Sequence, residues 1–298
     1  MAGKVLNYGS LNIDLVYTVP HIVRPGETLT SLNYARFPGG KGLNQSIALK
    51  RAGAETCHAG SIGEDGRFLA ELLQADGVDV SRVAVLDAPT GHALIQVEEG
   101  GQNCIVLFPG TNRMNAAQAP DALLNGFGAG DFLLLQNEVD GNAAVMEEAK
   151  KRGMKIALNP SPMDEDALRL PLSLVDLFLV NEVEGADLTG EEAPEKILDA
   201  MAEKYPDAAV VLTLGSRGSM YADGKVRLSQ PIFPCEVVDT TAAGDTFTGY
   251  VLNGLLAGEA PEVFMRRATM ASSIAVSRAG AAPSIPYRKE VEEALGRL

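Results

Sequence analysis

No tryptophan occurs among the 298 residues, and aromatic residues of all kinds make up 5% of the chain. A surface that stacks successive bases needs aromatic platforms, so a nucleic-acid partner is not expected. Basic residues are outnumbered as well. Lys and Arg total 25 against 39 Asp and Glu, a formal net charge of -14, which is the wrong sign for a phosphate backbone. A small anionic ligand is still allowed, because backbone N–H groups can hold one. Cysteine is sparse: Cys57, Cys104 and Cys235 are far apart, make no disulfide framework and point to a reducing compartment. His21, His58 and His92 show no metal-ligand spacing with them, which argues against structural zinc. No apolar run approaches a membrane span, and the N-terminus reads as a first strand, not a signal peptide. The expectation is a cytoplasmic protein with neither nucleic acid nor membrane as partner.

What the chain does carry is apolar sequence in a repeating arrangement. Hydrophobic residues reach 46%, enough for a sizeable core. Residues Lys4–Ser10, Glu55–Gly63, Asp131–Gln136, Lys155–Pro160, Val175–Asn181 and Ala208–Gly215 read as strands. Between them Gly42–Gly53, Gly66–Gly77 and Ala143–Gly153 read as helices, the first ending at Gly53. Further helices are expected from Ala243, Pro261 and Arg288. Alternating helices and nearly continuous apolar strands indicate an α/β fold with a mostly parallel sheet covered on both faces. Two segments break the alternation. Glu27–Phe37 and His92–Phe108 read as strands with no helix between, and the Glu98–Asn103 stretch EEGGQN reads as a hairpin turn. They suggest a small antiparallel sheet projecting from the body. It could serve as a lid, an oligomer contact or both, or be a decorative hairpin. No repeat or linker divides the chain, so residues 1–298 are read as one domain.

Neither G-x-G-x-x-G after the first strand nor a P-loop occurs. Ligands of open α/β sheets sit beyond the carboxyl ends of the strands, and polar, glycine-rich segments lie there. In DTTAAGD (Asp239–Asp245) small residues stand at a helix start, where free N–H groups and the helix dipole make an anion hole. Asp245 at its edge would repel a phosphate it merely bound, so it suits a base that takes a proton from an attacking hydroxyl. A first-turn acidic residue favoured by the dipole alone is an equal alternative. FPGGKGLNQ (Phe37–Gln45) opens another helix: Gly39 and Gly40 allow close approach, while Lys41 and Asn44 add groups for hydroxyls. Asn12 and Asp14 of GSLNID alternate along an extended segment and so share a side. Asn181 and Glu184 of NEVE could organise Mg²⁺ through water or simply cap a helix. TLGSRG (Thr213–Gly218) offers backbone N–H groups and Arg217 to phosphates, or is an ordinary strand-to-strand turn.

Taken in order, GGKGLNQ, NEVE, TLGSRG and DTTAAGDTF resemble the signatures of the ribokinase, or phosphofructokinase-B-type, sugar kinases. The resemblance runs from GSLNID to GAAPSIP, nearly the whole chain, and its first and last signatures are specific as a pair. It implies a ribokinase-like central sheet flanked by helices, with β-lid strands inserted at about 14–37 and 91–109. It also implies transfer of the γ-phosphoryl group of ATP to a sugar hydroxyl, ribose first of all. A kinase for deoxyribose, a nucleoside or another sugar such as fructose would keep the same motifs. A phosphosugar kinase would need extra cationic groups near Asn12 and Lys41, for which Arg36 and Arg113 are the nearby candidates, and the intact Asp245, Gly244 and Asn181–Glu184 set argues against a non-catalytic sugar sensor. By this resemblance Asp245 is the base, and the amides of Ala243 and Gly244 form the anion hole. Asn12, Asp14, Gly40, Lys41, Asn44 and Glu138 match the sugar contacts. Asn181, Thr213, Gly215, Arg217, Gly218 and Gly244 match the nucleotide contacts. Thr269 takes the place beside the adenine where ribokinase often has His. A monovalent cation, usually K⁺, would lie at Asp239, Thr241, Ala275, Arg278, Gly280 and Ser284, mostly on backbone carbonyls. The lid often pairs two chains into a homodimer.

Overall fold

The computed structural model describes residues 3–98 and 100–297, so Glu99 of the expected hairpin turn and the terminal residues Met1, Ala2 and Leu298 lie outside it. In chain order the first elements are β1 (Val5–Tyr8), β2 (Asn12–Val19), β3 (Asn33–Gly39), α1 (Lys41–Ala52), β4 (Thr56–Gly63), α2 (Arg67–Ala75) and β5 (Asp79–Leu86). Next come β6 (Gly91–Glu98), β7 (Asn103–Phe108), α3 (Pro120–Leu123), β8 (Phe132–Gln136), α4 (Asn142–Lys151), β9 (Lys155–Asn159) and α5 (Glu165–Leu168). The remainder is β10 (Leu177–Asn181), α6 (Glu182–Thr189), α7 (Pro194–Lys204), β11 (Ala209–Thr213), β12 (Ser219–Ala222), β13 (Arg227–Gln230), α8 (Ala243–Leu256), α9 (Pro261–Val276) and α10 (Arg288–Leu295).

The main sheet has nine strands in the order β13-β12-β11-β10-β9-β8-β1-β4-β5. It is parallel from β11 to β5, and β12 runs antiparallel to both its neighbours. Both faces are covered, which is why its strands read as unbroken apolar runs. Side chains alternate across the sheet. Leu133, Leu135, Ile156 and Leu158 pack with Val145 and Met146 of α4 and with Ile197 and Met201 of α7. Phe132, Leu134, Ala157 and Leu179 instead pack with Tyr250 and Val251 of α8 and with Phe264 and Met265 of α9. Gly53 closes α1 in the left-handed region with φ 110°, where the sequence places the helix end.

The second sheet has four strands in the order β3-β2-β6-β7. It differs from the antiparallel sheet expected, because β2 and β6 pair in parallel. Each continues outward from the same end of the main sheet, β2 after β1 and β6 after β5, so the two leave in one direction. The strand expected from Glu27 begins only at Asn33. On the edge strand β7 every residue is exposed, including Ile105, Val106, Leu107 and Phe108. An apolar edge of this kind offers unpaired backbone groups as well as apolar side chains.

Candidate active site

Strand order reverses between β1 and β8: β4 and β5 extend one way, β9 to β11 the other. The crevice at such a switch point, beyond the carboxyl ends of the strands, is where a ligand is received. Helices α1 and α8 both start there, and their close packing sets the geometry. Gly249, one turn after Asp245, makes the approach possible: a Cβ on it would lie 2.5 Å from Ala48 Cβ and 2.7 Å from Leu49 N.

The result is that two amides of α1 reach the carboxylate at the start of α8. Asn44 Nδ2 donates to Asp245 Oδ2 at 3.0 Å, and Gln45 Nε2 donates to Oδ1 at 2.9 Å. Asp245 is only 9% exposed, and burial pushes its pKa up, against the pull of Lys41 and of these two amides. The turn before it is tight. Ala242 has φ 60°, the only non-glycine residue with positive φ among the described residues. The Ala243 amide differs from the expectation for it: it donates to Thr240 O at 3.2 Å, because it closes this turn. Among the described residues the amides of Gly244 and Asp245 meet no protein acceptor, so the free donors begin one residue later than the motif suggests. Gly244 is exposed, and a Cβ placed on it would touch nothing within 4 Å.

The expected sugar contacts lie on the α1 side of Asp245. Glu138, just beyond β8, accepts from the Lys41 amide at 3.0 Å and from the Ser10 hydroxyl. Burial raises its pKa, with Asp245 adding to the effect. Asp14 lies directly over Gly39, where a Cβ would come within 2.5 Å of its carboxylate carbon. No residue but glycine leaves that space. Gly40 follows with φ 97° and sits against Ser10 and the Asn12 amide. Asn112 Nδ2 donates to Asn12 Oδ1 at 2.7 Å, which identifies the oxygen end of the Asn12 amide. His92, opposite Ile13 in the β2–β6 register, faces away from Asp14 and stacks on Phe108 with ring centroids 5.0 Å apart. Among the described residues Asn44 Oδ1 is buried with no protein partner.

Asp14 accepts no protein hydrogen bond among the described residues, and its pKa is raised to about 6, first by burial and then by the Glu138 charge. The unfolded chain releases this proton near 3.8, so between there and about 6 the folded state holds a proton that the unfolded state has lost. Stability from this group therefore falls as pH rises through that window, and ionised Asp14 is a net cost at neutral pH. Asp14→Asn should raise the melting stability at pH 7 by about 1–3 kcal/mol, and the gain should vanish at pH 4. Thermal melts at the two pH values check this; a less stable variant at pH 7 contradicts it.

On the other side of Gly244 two cavities adjoin. The larger, about 580 Å³, is lined by Thr213, Gly215, Gly218, Ala243, Gly244 and Thr269, with Phe233, Pro234, Cys235 and Val276 as apolar wall. The smaller, about 220 Å³, is lined by Lys41, Asn159, Asn181, Glu184, Thr213 and Ala243 to Asp245. Thr269 turns its hydroxyl back to Met265 O at 2.9 Å. Asn181 and Glu184 form a reciprocal capping box on α6 with bonds of 2.9 and 3.0 Å. Glu184 Oε1 takes no protein hydrogen bond among the described residues. TLGSRG is the turn from β11 to antiparallel β12 and still borders the larger cavity. Arg217 does not line either cavity; it pairs with Glu182 on the exposed start of α6.

The residues expected around a cation are held as follows. Asp239 Oδ1 accepts from the Thr241 amide at 2.9 Å and hydroxyl at 2.6 Å, and Oδ2 accepts from the Gly280 amide at 2.9 Å. Burial would raise its pKa, but these bonds outweigh it and hold the carboxyl below its usual range. The Ala275 carbonyl accepts from Arg278 N, the Arg278 side chain pairs with Glu290, and the Ser284 hydroxyl donates to Ala281 O.

Of the residues that complete the cleft, Asn159 stands in no motif, while Ser10 and Thr240 stand unremarked inside GSLNID and DTTAAGD. Gln45 stands inside GGKGLNQ, yet nothing in that string shows that it meets a carboxylate 200 positions away.

Residues 2–288 match the sequence profile described as pfkB family carbohydrate kinase. The ribokinase of Haemophilus influenzae is 37% identical over 297 residues, 96% of each chain. The structure of Arabidopsis thaliana ribokinase complexed with ribose and ATP is similar with a TM-score of 0.86, at 32% identity over 99% of both chains. That of Cryptococcus neoformans ribokinase in complex with ADP gives 0.85, at 31% identity over 98% of this chain and 99% of the other.

Proposed function

This chain belongs to the pfkB family of carbohydrate kinases, and from that premise we propose that it transfers the γ-phosphoryl group of MgATP to a hydroxyl of ribose. One observation carries the reading: a buried carboxylate, Asp245, adjoins the unpartnered amide of Gly244 where two cavities meet. Ribose lies on the α1 side. Ionised Asp14 and Glu138 accept its hydroxyl hydrogens, the Asn12 amide donates, and the orphaned Asn44 Oδ1 accepts. ATP lies along the larger cavity with its triphosphate at α8. The hydroxyl gives its proton to Asp245 as its oxygen forms a bond to the γ-phosphorus, and the bond from that phosphorus to the bridging oxygen of ADP breaks. The Gly244 and Asp245 amides, with Lys41 as the cation lining the smaller cavity, meet the charge on the moving group. Catalysis of this kind is mostly positioning and charge stabilisation.

Glu184 Oε1 and Asn181 suit water-mediated Mg²⁺, because a hard cation takes oxygen ligands. Asp239, held ionised, together with the carbonyls of the 275–284 loop suits K⁺; Arg278 would contribute its carbonyl only. These ions offset phosphate charge when bound. A phosphosugar is disfavoured by the two arginines nearest the lid. Arg36 stacks on Phe68 and donates to Asp65 O, and Arg113 faces Asp164. A second copy of the chain is the proposed cover for exposed β7, and Val106→Lys should yield monomer in the analytical ultracentrifuge.

ADP release across ribose, deoxyribose, fructose and nucleosides, in K⁺ and in Na⁺, tests the function. Ribose should give the highest kcat/KM, with faster turnover in K⁺. Equal rates in the two salts contradict the cation site, and a folded protein without sugar-dependent ADP release contradicts the kinase reading.

A further inference from the structure

We propose that Gln45 is a positioning residue for phosphoryl transfer, and that a buried chain of amides running through Gln136 and Asn7 fixes which end of Gln45 meets Asp245. The inference rests on the reading of Asp245 as proton acceptor. Gln45, Gln136 and Asn7 are all 0% exposed, and they come from α1, β8 and β1, the elements that flank the switch point.

The bonds have a direction. Asn159 Nδ2 donates to Leu179 O at 2.9 Å, which turns its Oδ1 toward Gln45 Nε2 at 3.0 Å. Gln136 Nε2 donates to Gln45 Oε1 at 2.6 Å and to Asn7 Oδ1 at 2.9 Å. Asn7 Nδ2 donates to Gly42 O and Ser46 Oγ, each at 2.8 Å. Ser46 Oγ in turn meets His58 Nδ1 at 2.8 Å. Each NH₂ of Gln45, Gln136 and Asn7 therefore has two acceptors. Turning the Gln45 amide over would set its carbonyl against Asp245 Oδ1 and against Asn159 Oδ1, and its NH₂ against that of Gln136. Buried polar groups left in that state are costly. So Gln45 is confined to presenting an N–H to the carboxylate. That donor favours the ionised form, the one able to take a proton, and opposes the effect of burial.

No charge enters the chain from its far end. His58 is fully buried, and burial lowers its pKa to about 4, so it stays neutral at working pH. Lys41 and Glu138 are the charged groups that face Asp245, and neither belongs to the chain.

The test compares Gln45→Met and Gln136→Met with the wild-type enzyme and with Asp245→Asn, in kcat against pH with ATP and ribose. Methionine keeps the volume and removes the donors. For Gln45→Met the acid limb of the profile should move up by about one pH unit, with kcat about 10-fold lower and the ribose KM within roughly 3-fold. Gln136→Met should shift it the same way by less. A merely structural role would lower the melting temperature and leave the acid limb in place, and that result overturns the proposal. Methionine is a good helix former, so Gln45→Met decides the matter if Gln136→Met does not fold. If Asp245→Asn is inactive and the limb in Gln45→Met is unmoved, only the positioning role fails. Near-normal turnover of Asp245→Asn defeats the underlying reading instead.

Discussion

Asp245→Ala should lower kcat by about 10²–10⁴ and change the ribose KM by no more than a few-fold. The reason is the division of labour in the cleft. The groups assigned to the sugar, on Asn12, Asp14, Asn44 and Glu138, remain when Asp245 is trimmed. What is lost, on the proposed mechanism, is the acceptor for the hydroxyl proton at the moment that the phosphorus is attacked. Trimming also frees the Asn44 and Gln45 amides that bond Asp245 at 3.0 and 2.9 Å, which could disturb the start of α1. Asp245→Asn reduces the second effect, because it fills the space and keeps one acceptor oxygen for these amides, but cannot take the proton. Both variants should therefore lose turnover alike, with a KM for ribose close to that of the wild type. Steady-state kinetics of the pair checks this. Wild-type turnover in the Asn variant contradicts the role of base.

Gly244→Pro should cost about 10²–10³ in kcat, by analogy with the loss of one oxyanion-hole donor. Gly244 is exposed, its amide has no protein acceptor among the described residues, and it stands at the second position of α8. Proline is tolerated in a first helical turn, where the missing N–H breaks no helical bond. The substitution thus removes a donor without breaking a helical bond, but it also restricts the backbone of Ala243 and so bears on the tight turn before it. Gly244→Ala is its control: it keeps the N–H and puts a Cβ into space that is open to 4 Å. The Pro variant should be much the slower of the two at equal melting temperature. Equal rates for Pro and Ala would mean that this amide does not serve the moving phosphoryl group.

Much of this was legible in the sequence where local rules decide. Apolar runs such as Phe132–Gln136 marked buried strands because both faces of a parallel sheet are covered. Gly53 marked the end of α1 because a left-handed cap needs glycine. The helix start at Ala243 and the cleft position of Asp245 followed from small residues ahead of an apolar pattern. Rules of that kind fail where distant segments meet. The four-residue strands β12 and β13 are too short for periodicity to register. The parallel pairing of β2 with β6 depends on where the two strands leave the main sheet, which no window of sequence contains. At the Ala243 amide the tight turn at Ala242, with its unusual backbone, takes up a donor that the motif seemed to offer. Gln45 and Gln136 show the same limit at the site: each looks like an ordinary polar residue at the edge of an apolar stretch. One signal was present, since Asn7, Gln136 and Asn159 all place an amide near the carboxyl end of a central buried strand.

The most direct measurement is a crystal structure of the wild-type chain with ribose and a non-hydrolysable ATP analogue. The expected result has a ribose hydroxyl about 3 Å from an Asp245 oxygen and in line with the γ-phosphorus, whose oxygens face the Gly244 amide. A triphosphate bound away from the start of α8, or a ribose that leaves Asp245 out of reach of every hydroxyl, would contradict it.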